Sequence, residues 1–118
     1  MTDELRSFPE TMELNADGDP TDAFCAQIRC ANNTMQMGLW LVHVFPIFVS
    51  ALRYGRCIVT SRADNGRTVK IVLYSTGCWP SQEVLIDAVE HSLIGVRFLQ
   101  SWRRGGHYEF WVPVDQAT

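Results

Sequence analysis

Hydrophobic and polar positions change their period several times along the chain. Residues 1–22 carry few apolar side chains and are punctuated by Pro9, Pro20 and the turn-forming run Asp17-Gly18-Asp19. That pattern predicts an acidic flexible arm, with at most one short helix around residues 3–7. Order is expected from Ala23 onward. Phe24, Ala26, Ile28 and Cys30 alternate with Cys25, Gln27 and Arg29, the period of a half-buried strand. Asn32, Asn33 and Thr34 are helix-capping types, and from Ala31 to Leu52 no residue is formally charged. A helix there would be apolar on every side, with a kink or break near Phe45, because Pro46 removes a donor and crowds the preceding turn. Arg53-Tyr54-Gly55-Arg56 closes it, Gly55 being the expected left-handed residue after the end.

Two strands follow, Cys57–Arg62 and Arg67–Ser75, joined through Asn65-Gly66. Asn-Gly suits both positive-φ positions of a type I′ hairpin turn. Pro80 opens a second helix over about Ser81–Leu93, with Val84, Leu85, Ala88 and Val89 on one face, and Gly95 is expected to end it. Val96–Trp102 and His107–Val114 then read as a second hairpin. In its last strand Tyr108, Phe110 and Val112 share one face, and His107, Glu109 and Trp111 the other. The predicted fold is α+β, in the order β-α-β-β-α-β-β, an antiparallel or mixed sheet with two helices on one face. Residues 1–22 form the arm and 23–118 one domain.

With 118 residues and 47% apolar composition there is material for one core. That excludes intrinsic disorder for the bulk of the chain. The net charge of −3 divides unevenly. Residues 1–30 hold seven acids and two bases, whereas residues 31–118 hold eight bases, seven of them Arg, against six acids. Arg53, Arg56, Arg62, Arg67, Arg103 and Arg104 are the candidate contacts for phosphate or an acidic ligand, since a guanidinium binds both bidentately. The apolar stretch Met37–Leu52 has 16 residues, fewer than the roughly 20 a membrane-spanning helix needs; a membrane partner is not expected. With no recognisable signal peptide, Cys25, Cys30, Cys57 and Cys78 are expected as reduced thiols in a cytoplasmic setting. Their spacing fits no zinc ribbon or finger, so no metal site is expected.

Catalytic motifs are absent from the sequence. His43 lies in the apolar helix, His91 beside Glu90 on a polar helix face, and no nucleophile is placed by motif beside either. His107 shares a strand face with Glu109 and Trp111, a trio suited to something polar and flat. Asp87 and Glu90 are paired acids on the exposed side of the second helix. Neither common phosphate-cradling glycine loop is present, and no cofactor is expected.

Two known folds share this element order. The RNA-recognition sheet carries stacking aromatics on its third strand, but Arg67–Tyr74 offers only Tyr74. The segment Phe48-Val-Ser-Ala-Leu-Arg-Tyr-Gly55 resembles the N-A-L-R-Y/H-G end of the first helix in histidine-kinase-type (GHKL) ATP-binding domains. The resemblance extends, in order of elements, over residues 23–114. It implies a degenerate member: Ser50 stands where that family has its metal-binding Asn, Ser75 where it has its adenine-binding Asp, and the Gly-rich lid is missing. Such a domain would keep a protein-docking surface without nucleotide binding.

The function expected from these features is non-enzymatic binding of another protein, as a regulator, adaptor, inhibitor or small subunit, or self-association. Trp79, Trp102, Trp111, His107 and Tyr108 are the candidate anchors, because aromatic residues are enriched in interface cores. Nucleic-acid binding through the Arg set is the alternative. The small size and acidic segment also suit a phage or viral inhibitor of a host protein.

Overall fold

Asn65 and Gly66 both take left-handed conformations, with φ of 50° and 77°, so the type I′ turn forms and fixes the register of the first hairpin. Strands β1 (Arg56–Asp64) and β2 (Arg67–Ser75) pair without interruption from Asp64↔Arg67 to Arg56↔Ser75. The second hairpin, β3 (Leu99–Arg103) and β4 (His107–Pro113), turns through Gly105 and Gly106, both at positive φ. Strand β4 lies beside β2, giving an antiparallel four-stranded sheet in the order β1-β2-β4-β3. This computed structural model describes residues 4–117, an α+β fold.

Helices cover the inner face of the sheet, where Val72 and Tyr74 of β2 meet Phe110 and Val112 of β4. The molecule measures 47 × 43 × 20 Å. Its short axis has room for one sheet and one layer of helices about 10 Å thick, which leaves the outer sheet face uncovered.

The apolar stretch becomes a composite helix: α2 (Met37–Leu39), a π-helical turn (Trp40–Val44) and α3 (Phe45–Ala51). The Phe45 amide donates to the Trp40 carbonyl, five residues back. The wider turn relieves the crowding that Pro46 would cause and replaces the expected break with a change of helical pitch. Its buried side is aromatic: Trp40, Phe45 and Phe48 pack tilted or edge-on against one another and against Phe8, Phe24, Tyr74 and Phe110. Among the described residues no helix is long and apolar enough to cross a membrane.

Several expectations are corrected. Residues 22–30 form helix α1 (Asp22–Cys30), not a strand. Thr21 caps it by accepting from the Phe24 amide, and Phe24, Cys25 and Ile28 are buried at helical spacing. Residues 4–22, expected to be a flexible arm, lie on the body. The Arg6 amide donates to Asn32 Oδ1, the Phe8 amide to Gln36 Oε1 and Trp40 Nε1 to the Pro9 carbonyl, and Phe8 is 1% exposed. Residues 4–7 are not helical, and Asp3 lies outside the described residues.

The second amphipathic helix, α4 (Pro80–Glu90), begins at Pro80 as expected but stops before Gly95. Ser92 caps a further helix, α5 (Leu93–Phe98), where a strand was expected. Gly95 lies inside α5 and is glycine for space, since a Cβ there would stand 2.0 Å from the Glu90 carbonyl oxygen. A last short helix, α6 (Val114–Ala117), follows β4. Gly55 is not the left-handed residue of its turn; Tyr54 is, with φ 65°. Gly55 is there for space, since a Cβ would lie 2.2 Å from the buried Gln82 side chain.

Candidate functional site

The outer sheet face is built by alternation along each strand, and the pairing register assembles it into rows. Arg56, Ser75, His107 and Arg103 stand opposite one another across all four strands. The next row is Ile58, Leu73, Glu109 and Ser101, followed by Thr60, Ile71 and Trp111, then Arg62, Val69 and Pro113. The first two rows line a shallow hollow of about 290 Å³. Arg56 and Arg103 flank it, and Ile58 and Leu73, 39% and 38% exposed, contribute its apolar lining. Ser75 Oγ lies 2.8 Å from His107 Nδ1, which orients the imidazole over the row.

At the other end of the face Arg62 reaches across β2 to place its guanidinium 5.2 Å from the centre of the Trp111 ring. Trp111 Nε1 donates to Glu109 Oε2 at 2.5 Å, so the indole is held from both sides. Val69 and Ile71, which stand opposite Arg62 and Trp111 in the register, are buried although they sit on the uncovered face. Among the described residues the only ion pair is His91 with Asp87. The guanidinium groups of Arg56, Arg62, Arg67 and Arg103 therefore have no carboxylate within 4.0 Å there.

The remaining candidate residues are dispersed. Trp79 stacks on Tyr54 at 4.5 Å between centroids, where α3 ends and α4 begins. Arg53 shares a groove there with Asp17, Asp19 and Trp79, so the acidic N-terminal turn meets Arg53 and not the Arg rows. Arg104 lies in the β3–β4 turn, and Arg67 faces Asp64 beside the Asn-Gly turn. Tyr108, expected as an anchor, is a core residue only 8% exposed, while its cross-strand neighbour Trp102 is 57% exposed at the sheet edge. Tyr108 borders a second hollow, on the helix side, with Asp22, Glu83, Asp87 and Glu90. Burial, then Glu90 and Glu83, pushes its hydroxyl pKa up. The helix-side hollow thus gathers four acids around Arg29, while the outer sheet face carries Arg56, Arg62 and Arg103.

Among the described residues no group of three or more His, Cys, Asp or Glu side chains is placed to hold a metal ion. All four cysteines are free. Burial pushes the Cys57 thiol from 9.0 up to about 12, so its nucleophilic form is scarce at neutral pH. Cys30 and Cys78 are exposed. Brief iodoacetamide treatment of the native protein at pH 8 is expected to modify Cys30 and Cys78 and spare Cys57, as read by mass spectrometry. Labelling of all three at equal rates would contradict this. Because the folded pKa of Cys57 is the higher one, its neutral burial stabilises the fold fully below pH 9 and stops doing so as pH rises through about 12. The melting temperature should fall over that window.

Comparison with known proteins finds no family model, no curated protein and no solved structure that matches the chain.

Proposed function

We propose that the chain is a non-enzymatic protein-docking domain whose outer sheet face receives an acidic, partly apolar segment of another protein. The observation that carries this reading is the uncovered row of Arg56, Ser75, His107 and Arg103 above the exposed pair Ile58 and Leu73. Unpaired guanidinium groups supply charge-assisted contacts to carboxylates. The aliphatic pair supplies the apolar centre that protein interfaces use. Nucleic acid is the weaker fit: the Trp111 ring, on which a base would stack, is already covered by Arg62, whereas the exposed aliphatic pair Ile58 and Leu73 suits a protein segment.

The four free cysteines favour an intracellular setting. On the resemblance to histidine-kinase-type domains, the reading takes no nucleotide. The Ser50 hydroxyl donates to the Ile47 carbonyl and Ser75 pairs with His107, so neither is the amide or carboxylate that family uses.

Fluorescence anisotropy with a labelled Glu/Leu peptide and a labelled single-stranded oligonucleotide tests the proposal. The peptide should bind with an affinity that falls with salt. Arg56→Ala/Arg103→Ala should weaken it at least tenfold, about 1.4 kcal/mol. Leu73→Ala should weaken the peptide and leave the oligonucleotide unaffected. Tighter oligonucleotide binding, indifferent to Leu73→Ala, would transfer the face to nucleic acid, and no binding of either probe would reject it.

A further inference from the structure

The two edges of the sheet are unlike. Strand β3 is short, five residues, and its register slips between Leu99 and Ser101, a bulge of the kind that protects an edge from pairing. Strand β1 has nine residues, no proline and an unbroken register, and no other described segment pairs with its free side. The turn determines which groups that side presents. With a two-residue loop, Asp64 and Arg67 exchange both backbone hydrogen bonds. Arg56, Ile58, Thr60, Arg62 and Asp64 therefore bond inward to β2. Cys57, Val59, Ser61 and Ala63 direct their N–H and C=O groups outward.

We propose that β1 is the interface of a symmetric homodimer, in which two copies of β1 pair antiparallel about a two-fold axis at Thr60. In that register Cys57 meets Ala63 of the second copy and Val59 meets Ser61, which satisfies every outward backbone group of the edge. The side chains agree with it. Thr60 faces Thr60, and Arg56 faces Asp64 of the second copy, on the outer face and twice by symmetry. Sliding the pairing by two residues toward the strand start sets Arg56 against Arg62, a like-charge contact, so the charges favour one register. The two four-stranded sheets become one of eight strands, with both outer faces on the same side. The edge shares Arg56 with the proposed docking face, but the backbone pairing, and with it the dimer, does not depend on that proposal.

Light scattering on the isolated protein tests the inference with no partner present. A mass of twice 13.4 kDa is expected. Val59→Pro removes one outward N–H without removing a bond to β2, and should give a monomer with an unchanged far-ultraviolet spectrum. Arg56→Glu and Asp64→Lys should each weaken the dimer at least tenfold, and Arg56→Glu/Asp64→Lys should restore it. This charge exchange decides the matter even if Val59→Pro fails to fold. A wild-type monomer at millimolar concentration overturns the proposal. So does a dimer indifferent to Val59→Pro, or single charge variants that the exchange does not rescue. Docking can be measured separately on the monomeric variant, through Leu73 and Arg103.

Discussion

Trp40→Ala is expected to cost about 3–5 kcal/mol of unfolding free energy, a large share of the roughly 5–15 kcal/mol that holds a domain together. The indole is 1% exposed and touches Phe8, Phe45 and Phe48, with ring centroids 5.3, 6.0 and 5.9 Å away. Truncation leaves a cavity among side chains anchored in a helix, which cannot collapse to fill it. It also removes the donor to the Pro9 carbonyl, 2.6 Å from Nε1. Phe8 then loses both its stacking partner and the tether of the residue beside it. Urea denaturation should show the destabilisation, and hydrogen exchange should show the Arg6 and Phe8 amides losing protection before the sheet does. Trp79→Ala, on a ring 40% exposed, should cost under about 1 kcal/mol. A Trp40→Ala protein as stable as Trp79→Ala, or one whose N-terminal amides keep their protection, would contradict the packing described.

The same contacts show why the N-terminal segment reads poorly from sequence. Phe8 is a lone apolar residue in a polar stretch, and its partner is 32 positions away; no local period announces such a contact. Residues 22–30 fail for a different reason. Ala26 and Cys30 are small enough to be exposed on a helix, yet counting them as apolar generates an alternation that mimics a strand. The cap was the better signal: Thr21 followed by Asp22 marks a helix start.

Where the chemistry is local the reading holds. Asn65-Gly66 determines a register of nine pairs, and that register alone puts Arg56 and Arg62 on one face. The alternation of β4 separates His107, Glu109 and Trp111 from the core. The meeting of β2 with β4 is not legible, because an entire helical crossover lies between them. The row from Arg56 to Arg103 and the contact of Arg62 with Trp111 are products of that non-local pairing.

The close approach of Gly55 to Gln82 is equally non-local, and it carries the second large expected effect. Gln82 is fully buried and spends its whole amide: Nε2 donates to the carbonyls of Val49 and Arg53, at 3.1 and 3.3 Å, while Oε1 accepts from the Tyr74 hydroxyl at 2.6 Å. It thereby joins the end of α3, the start of α4 and the centre of the sheet. Gly55→Ala places a methyl group 2.2 Å from that amide, an overlap that something must yield to. The nearest atoms are all those of the Gln82 amide, so the amide moves and its hydrogen bonds are broken while still buried. Overpacking at about 1–3 kcal/mol and unsatisfied polar groups at about 1–3 kcal/mol together predict a loss of about 2–5 kcal/mol. Gln82→Ala should cost a similar amount by removing the donor to the Val49 and Arg53 carbonyls and the acceptor of the Tyr74 hydroxyl, but it also empties the space that the new methyl group needs. Gly55→Ala/Gln82→Ala should therefore be no less stable than Gln82→Ala alone, a coupling of at least about 2 kcal/mol in a double-mutant cycle followed by urea denaturation. Additive losses would mean that Gly55 serves its backbone conformation and not the amide beside it.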